Sequence, residues 1–292
     1  MSAPNDLRPE RSRTPRVVRQ FVADPTAMVA FGFLILLILV ALLTPWIAPH
    51  SPDTQHLDRA LDGPNGTHWL GADQLGRDVL SRLMYAARLS LMAATVAVGI
   101  AVVIGVPIGV AGGYFGGWVD RIVVLIADSL MGFPYLILAI GVVGVLGPSL
   151  VNAMIAIGVV YVPRLIRVAR SAVLAVRGDT YLEASRSIGA TSASIIVRHV
   201  VPNVMPPVVV QISLMCGFAM LAEASLSFLG LGAQPPAASW GSMLSSSVRY
   251  MDRQPLLMIW PGLALVLTVL AINLVGDGLR DAFARRDKRS GS

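Results

Sequence analysis

Six long apolar stretches constrain this chain more than any other feature of its sequence. A helix rises about 1.5 Å per residue, so about 20 apolar residues cross the hydrocarbon core of a bilayer, which is about 30 Å thick. The stretches cover residues 27–48, 89–111, 122–146, 150–169, 204–229 and 256–275. Since 55% of the residues are hydrophobic and only 14% are charged, the composition is that of a membrane protein. The sequence therefore predicts an all-α integral membrane protein with six transmembrane helices.

The distribution of positive charge predicts how these helices are oriented. Cytoplasmic loops of membrane proteins are enriched in Lys and Arg. With the N-terminus inside, the cytoplasmic segments hold 17 of the 23 Lys and Arg residues, whereas the extracytoplasmic segments hold 6 beside six aspartates. Pro163 and Arg164 interrupt the fourth stretch, so its last turns are expected to leave the lipid. Both termini are predicted to lie in the cytosol, which gives an N-in, C-in topology.

One polar stretch between the fourth and fifth spans is both charged and patterned. It reads Tyr181-Leu182-Glu183-Ala184-Ser185-Arg186-Ser187-Ile188-Gly189-Ala190. At 3.6 residues per turn its charged side chains share one helix face and its apolar and small ones share another, which predicts a short amphipathic helix. The charged face comprises Asp179, Glu183 and Arg186. Gly189 is expected to end this helix, because glycine adopts the left-handed conformation at little cost. A second short helix is predicted up to Pro202.

The sequence carries no motif for catalysis. A phosphate-binding loop needs a glycine-rich turn ending in Gly-Lys-Ser or Gly-Lys-Thr, and the one lysine, Lys288, follows no such turn. The histidines have no metal-ligand spacing and are expected to be solvated loop residues; they are His50, His56, His68 and His199. No Ser-His-Asp set or carboxylate pair is evident. No enzyme activity, cofactor or metal is therefore predicted for this chain, and ATP, if it drives transport, must be bound by another chain.

Three glycines recur every four residues on one face of the second span. Gly105, Gly109 and Gly113 leave room for another helix to approach closely. That helix is expected to belong either to this chain or to a second membrane subunit, and the sequence favours neither. The glycine-rich run 112–117 follows a membrane helix rather than a strand, which predicts a tight cytoplasmic turn.

Two acidic residues lie inside the predicted spans, where burying an ionised group in lipid costs at least about 2.5 kcal/mol. Asp128 follows Arg121 by seven residues on one helix face, which favours an inner-end ion pair over a role in the substrate pathway. Glu223 lies near the outer end of the fifth span. It is expected either to line the substrate path or gate, or to form hydrogen bonds with neighbouring backbone in a packed bundle.

Several separated motifs resemble those of ABC importer membrane subunits. The spacing of Glu183, Ala184, Gly189 and Pro202 is similar to that of the EAA loop, although Ser185 replaces the last alanine of the triplet. Four further stretches are similar to the C-type subunit of dipeptide and oligopeptide permeases. They are residues 68–82, residues 222–232, Pro235-Pro236 with Ser239-Trp240-Gly241, and residues 276–281. The resemblance covers about residues 24–281.

The resemblance implies a type I ABC importer permease fold in a bacterial cell membrane. It also implies a homologous B-type permease, one or two cytoplasmic ATPases that bind ATP and Mg, and an extracytoplasmic binding protein that delivers the ligand. The EAA loop would form a coupling helix, which is stiff enough to convert movement of the ATPase into tilting of the spans. The coupling residues would be Asp179, Tyr181, Glu183, Ala184, Ser185, Arg186, Gly189, Ala190 and Pro202.

These inferences divide the chain and define its expected function. The predicted parts are a cytoplasmic tail (1–26), transmembrane helix 1 (27–48), an extracytoplasmic segment (49–88), a permease core (89–281) with a coupling loop at about 171–203, and a second cytoplasmic tail (282–292). The expected function is ATP-driven import of di- or oligopeptides, with nickel, haem or another small solute as the alternative cargo. An ion-coupled secondary transporter, which would show inverted repeats and broken helices, and a membrane scaffold are the competing classes.

Overall fold

The computed structural model describes residues 16–178, 180, 182, 187 and 189–290, and throughout them the regular structure is helical. In chain order the helices are α1 (Arg16–Val22), α2 (Pro25–Ile47), α3 (Val79–Phe115), α4 (Gly117–Met131), α5 (Tyr135–Leu146), α6 (Leu150–Val176), α7 (Ser192–Ile195), α8 (Val201–Phe228), α9 (Trp240–Ser247) and α10 (Leu256–Ser290). Short 3-10 helices cover Leu57–Arg59 and Val248–Tyr250. A π-helical segment, Ile196–Val200, connects α7 to α8.

The described helices confirm the all-α membrane class predicted from the sequence. Five of them, counting α7 and α8 as one continuous helix, are long and apolar enough to cross a membrane. The pair α4 and α5 adds a sixth span if it is taken as one bent element, because its two helices meet at an angle of 89°. The third span predicted over 122–146 is thus a bent pair of helices and not one straight helix. Pro134 has no amide hydrogen and disfavours helical geometry in the residue before it, so α4 ends before α5 begins.

The pairing of α3 with α6 forms the centre of the fold. A Cβ atom added to Gly109 would lie 2.5 Å from the carbonyl oxygen of Ile166, and one added to Gly113 would lie 2.8 Å from Cβ of Val173. At Gly105 the nearest atoms of α6 would lie 2.9 Å away. The glycine stripe therefore packs within this chain, which answers the question that the sequence left open.

Helix α6 contributes a glycine of its own to this contact. A Cβ atom added to Gly158 would lie 2.9 Å from the carbonyl oxygen of Ala97 on α3. The sequence analysis missed Gly158 because it is a single glycine without a repeat. Together the glycines of both helices let the two backbones approach along most of their length.

The turn predicted over 112–117 is confined to its last two residues. Gly112 and Gly113 remain in α3, and only Gly116 and Gly117 adopt positive φ angles, of 67° and 59°. This conformation is accessible to glycine at little cost. The chain can therefore pass from α3 to α4 within a single tight connection.

Pro202 does not end a helix, contrary to the prediction. Residues Ser192–Phe228 form one continuous helical path that includes the π-helical segment Ile196–Val200. A proline inside a helix removes one backbone hydrogen bond and its ring clashes with the carbonyl four residues earlier. The wider π-helical turn lies just before Pro202 and can accommodate the proline, so the helix that contains the fifth span begins before residue 204.

Candidate functional site

The predicted coupling segment lies at the end of the bundle that the charge distribution assigns to the cytosol. Its residues Asp179, Tyr181, Glu183, Ala184, Ser185 and Arg186 lie outside the described residues. Leu182 is described, and it is fully buried. It belongs to an inner cluster that comprises Val110, Tyr114, Ala169, Val173, Leu182, Ile195, Val200, Val204 and Val208. Because this cluster draws on α3, α6, α7 and α8, Leu182 shares one buried apolar core with three of the spans.

The described residues of the predicted coupling set lie on the surface or at the edge of the inner cluster. Gly189 has a φ of 83°, and no atom lies within 4 Å of the position that a Cβ would take. This is the left-handed conformation predicted for the end of the first coupling helix. Ala190 is half-buried against the inner cluster, and Pro202 is exposed near the start of α8. Gly189 and Pro202 are therefore accessible to a partner from the inner side.

Two ion pairs join α4 to α6 near the same end. Nη2 of Arg167 donates to Oδ1 of Asp128 at 2.6 Å. The predicted partner of Asp128 was Arg121, and this prediction is wrong. Seven residues along one helix correspond to about 10 Å, whereas the neighbouring helix brings Arg167 into direct contact. Asp120 accepts two hydrogen bonds from the guanidinium of Arg170, from Nε and from Nη2, the second at 2.7 Å.

Glu223 occupies a fully buried polar cluster between α3, α8 and α9. Its carboxylate accepts a hydrogen bond from Ser227 Oγ at 2.6 Å and another from Ser90 Oγ at 3.2 Å. Ser90 Oγ in turn accepts from the backbone nitrogen of Trp240 at 3.3 Å. Only 1% of Glu223 is exposed, so in this conformation it does not line an open path. The geometry corresponds to the packed alternative, but the partners are serine side chains and not the backbone groups that the sequence analysis expected.

The outer loop, residues 49–78, is held together by buried charge. Asp73 Oδ2 accepts from Arg77 Nε at 2.7 Å and lies 3.4 Å from Arg82 Nε. Arg82 also donates to the carbonyl oxygen of Pro52 at 3.0 Å. Gly76 has a φ of 71°, and a Cβ added there would lie 1.7 Å from the carbonyl oxygen of His56, so this position admits only glycine. The motif over 68–82 therefore builds a rigid loop fixed to the start of α3.

The expectation of solvated histidines is wrong for His68. The residue is 2% exposed, and its Nδ1 donates to Asp78 Oδ1 at 3.0 Å. Asp78 also caps α3 by accepting from the backbone nitrogen and the hydroxyl of Ser81, at 2.8 and 2.6 Å. Burial alone raises the pKa of Asp78, but the hydrogen bonds from Ser81 and His68 outweigh burial and hold that pKa below its ordinary value. The sequence analysis missed this group because spacing alone did not connect His68 to its capping carboxylate.

The fold defines a class of protein, the multi-pass helical membrane proteins. Solved structures of the MetNI methionine ABC transporter in inward-facing conformations are similar to this fold. In one crystal form the match has a TM-score of 0.58 at 22% identity and covers 68% of this chain and 95% of that chain. A second crystal form gives the same TM-score with 69% and 96% coverage.

Family models and relatives then specify the family. The model described as "Binding-protein-dependent transport system inner membrane component" matches residues 105–289, and that of the "N-terminal TM domain of oligopeptide transport permease C" matches residues 12–64. The glutathione transport system permease protein GsiD of Shigella flexneri serotype 5b is 45% identical over 94% of this chain and 92% of its own length. GsiD of Escherichia coli O6:K15:H31 is 43% identical with the same coverage.

The chain belongs to the family of inner membrane components of binding-protein-dependent transport systems. It is a multi-pass permease subunit of an ABC importer in the bacterial inner membrane. Members of this family work with ATPase and binding-protein partners.

Proposed function

We propose that this chain is the C-type permease subunit of an ATP-driven importer of short peptides, of the size class of glutathione. The observation that carries the proposal is the 45% identity to GsiD, a glutathione transport permease, over nearly the whole chain. The match of residues 12–64 to an oligopeptide permease model supports the same substrate class. Glutathione is a tripeptide, so both matches support a short peptide as the proposed substrate.

In this proposal the chain changes conformation during transport and does not itself hydrolyse ATP. Its sequence has no phosphate-binding loop, so ATP and Mg are held by a separate cytoplasmic ATPase. A homologous B-type permease supplies the other half of the translocation path, and an extracytoplasmic binding protein delivers the peptide. ATP acts by binding one conformation of the whole complex better than the other, which shifts the population between inward and outward access.

The segment from Asp179 to Pro202 couples the ATPase to the spans. Leu182 supports this role because it fixes the segment to the inner cluster, which includes residues of α3, α6 and α8. A close-packed interior transmits a displacement instead of absorbing it. The exposed left-handed turn at Gly189 presents backbone to the cytosol, where an ATPase surface can approach closely.

Co-purification tests the coupling role. The chain is expressed with its genomic neighbours, solubilised and purified through an affinity tag, as wild type and as Glu183→Lys. We expect wild type to retain the second permease and the ATPase, and Glu183→Lys to lose the ATPase alone, because the change reverses a charge on the docking face without altering a span. Asp252→Lys is the matched control, since it reverses an exposed acid at the outer end of the bundle. Normal ATPase retention by Glu183→Lys contradicts the assignment.

A further inference from the structure

Three side chains that the transport proposal does not use converge at the outer end of the bundle. They are His50, which follows α2, His68 in the outer loop, and Asp78 at the start of α3. Asp78 Oδ1 lies 3.0 Å from His68 Nδ1, and Asp78 Oδ2 lies 3.7 Å from His50 Nδ1. The two imidazole rings are 5.0 Å apart between centroids. All three potential ligand atoms lie within 4.8 Å of one another.

These separations match a tetrahedral metal site. Zinc bonds to histidine nitrogen and carboxylate oxygen are about 2.0–2.2 Å long, so two ligands of one tetrahedral ion lie about 3.4 Å apart. The observed separations of 3.0 and 3.7 Å lie on either side of that value. Since the three ligand atoms lie within 4.8 Å of one another, a modest inward adjustment of the side chains would bring them to one ion.

The hydrogen bonding within the cluster leaves a buried nitrogen of each histidine without a partner among the described residues. These atoms are Nδ1 of His50, which faces the Asp78 carboxylate, and Nε2 of His68. Buried polar atoms are nearly always paired in folded proteins. The backbone nitrogen of His50 donates to Ser81 Oγ at 3.0 Å, so the histidine is held beside the carboxylate from its main chain. Ser81 thereby orients both His50 and Asp78, as outer-shell partners do in metal sites.

We propose that His50, His68 and Asp78 bind a divalent transition-metal ion of the zinc class. Two imidazoles and one carboxylate suit zinc and its first-row neighbours, whereas magnesium and calcium prefer oxygen ligands alone. On binding, the ring proton of His68 shifts from Nδ1 to Nε2, so that neutral His68 offers its Nδ1 lone pair to the ion beside the Asp78 carboxylate and the Nδ1 lone pair of His50. The His50 side chain is 37% exposed, so water can supply the fourth ligand from the outer side. Bound there, the ion ties the end of α2 and the outer loop to the start of α3.

Metal titration of the full-length chain tests this site. The protein is purified without a polyhistidine tag, treated with a chelator, and titrated with Zn²⁺ against a competing indicator and with Co²⁺ by absorption spectroscopy. We expect one ion per chain, and binding weakened at least about tenfold by His50→Gln. His56→Gln is the matched control, because His56 is an exposed histidine of the same loop outside the cluster, and it should bind as wild type does. The proposal is overturned if His50→Gln and His56→Gln both lose the bound metal ion, or if the wild type shows no saturable metal binding.

A substitution that exchanges the ligand type separates coordination from mere folding. His50→Cys should retain a stoichiometric ion and add a thiolate-to-cobalt charge-transfer band that neither wild type nor His56→Gln gives. Zn²⁺ should also raise the Tm of wild type and of His56→Gln, but not of His50→Gln, since a ligand stabilises only the state that binds it. A His50→Cys protein that remains folded but shows no such band contradicts the assignment of His50 as a ligand.

Discussion

At the scale of single residues, the fold depends on glycines that other residues cannot replace. Gly109 is the tightest of the stripe on α3, with the Ile166 carbonyl oxygen 2.5 Å from where its Cβ would lie. Gly99 lies on the same helix, and nothing lies within 4 Å of its added Cβ. The pair therefore separates the effect of helix contact from the general effect of removing a glycine.

Gly109→Ala is expected to destabilise the protein by about 1–3 kcal/mol, because the added methyl group forces α3 and α6 apart. Gly99→Ala should leave stability unchanged or raise it slightly, since it only lowers the conformational freedom of the unfolded chain. Thermal unfolding in detergent, followed through exposure of the single cysteine, Cys216, measures both. Equal melting temperatures for the two variants would mean that the α3–α6 contact is looser than described.

Glu223 offers a second prediction at this scale. Glu223→Ala removes the acceptor for Ser90 and Ser227 and should destabilise the protein by about 1–3 kcal/mol through unpaired buried hydroxyls. Glu223→Gln should retain most of the stability, because an amide can accept from one serine and donate to the other. Thermal unfolding and co-purification with the partner permease are the measurements. A stable, assembled Glu223→Ala protein that does not transport would assign Glu223 to the pathway instead.

At the scale of elements, the inner cluster joins Leu182 of the proposed coupling segment to the spans. Leu182 is fully buried there, whereas Leu174 on α6 is 41% exposed. Leu182→Ala should lower the coupling of ATP hydrolysis to uptake, because the cavity it leaves lets the segment move without moving α3 and α6. The cavity costs about 2–5 kcal/mol at a well-packed site. Leu174→Ala is the control, because it makes the same substitution at an exposed position.

The ratio of solute transported to ATP hydrolysed, measured in proteoliposomes, tests this prediction. The complex that contains Leu182→Ala should transport less solute for each ATP that its ATPase hydrolyses, and the complex that contains Leu174→Ala should match wild type. An unchanged yield for Leu182→Ala, in a protein that assembles normally, would exclude the inner cluster as the mechanical connection.

Prolines mark the limit of what the sequence predicts for these elements. Pro134 separates α4 from α5, yet Pro163 lies inside α6 and Pro202 lies inside the path from α7 to α8. A proline-bearing helix persists where neighbouring helices or a π-helical turn accommodate the lost hydrogen bond. That accommodation depends on tertiary neighbours, so the span count follows from apolar length whereas the breaks do not.

At the scale of the whole molecule, the fold class and the family could be predicted from apolar length, charge bias and separated motifs. Contacts between segments that are distant in the sequence could not be predicted in this way. The partner of Asp128 is Arg167, on another helix, and the partner of His68 is Asp78, at the end of a loop. Such pairs depend on how helices and loops pack, which a helical repeat does not encode. The glycine stripe is intermediate, since its spacing predicted a helix contact without identifying α6.

Uptake by the reconstituted complex tests the central claim most directly. The chain is assembled in proteoliposomes with its partner permease, ATPase and binding protein, and accumulation of labelled glutathione is compared with that of a dipeptide and of Ni²⁺. We predict accumulation of a short peptide that requires hydrolysable ATP and the binding protein, and that falls with Glu183→Lys but not with Asp252→Lys. Accumulation driven by an ion gradient without ATP, or of Ni²⁺ in place of either peptide, would contradict the account.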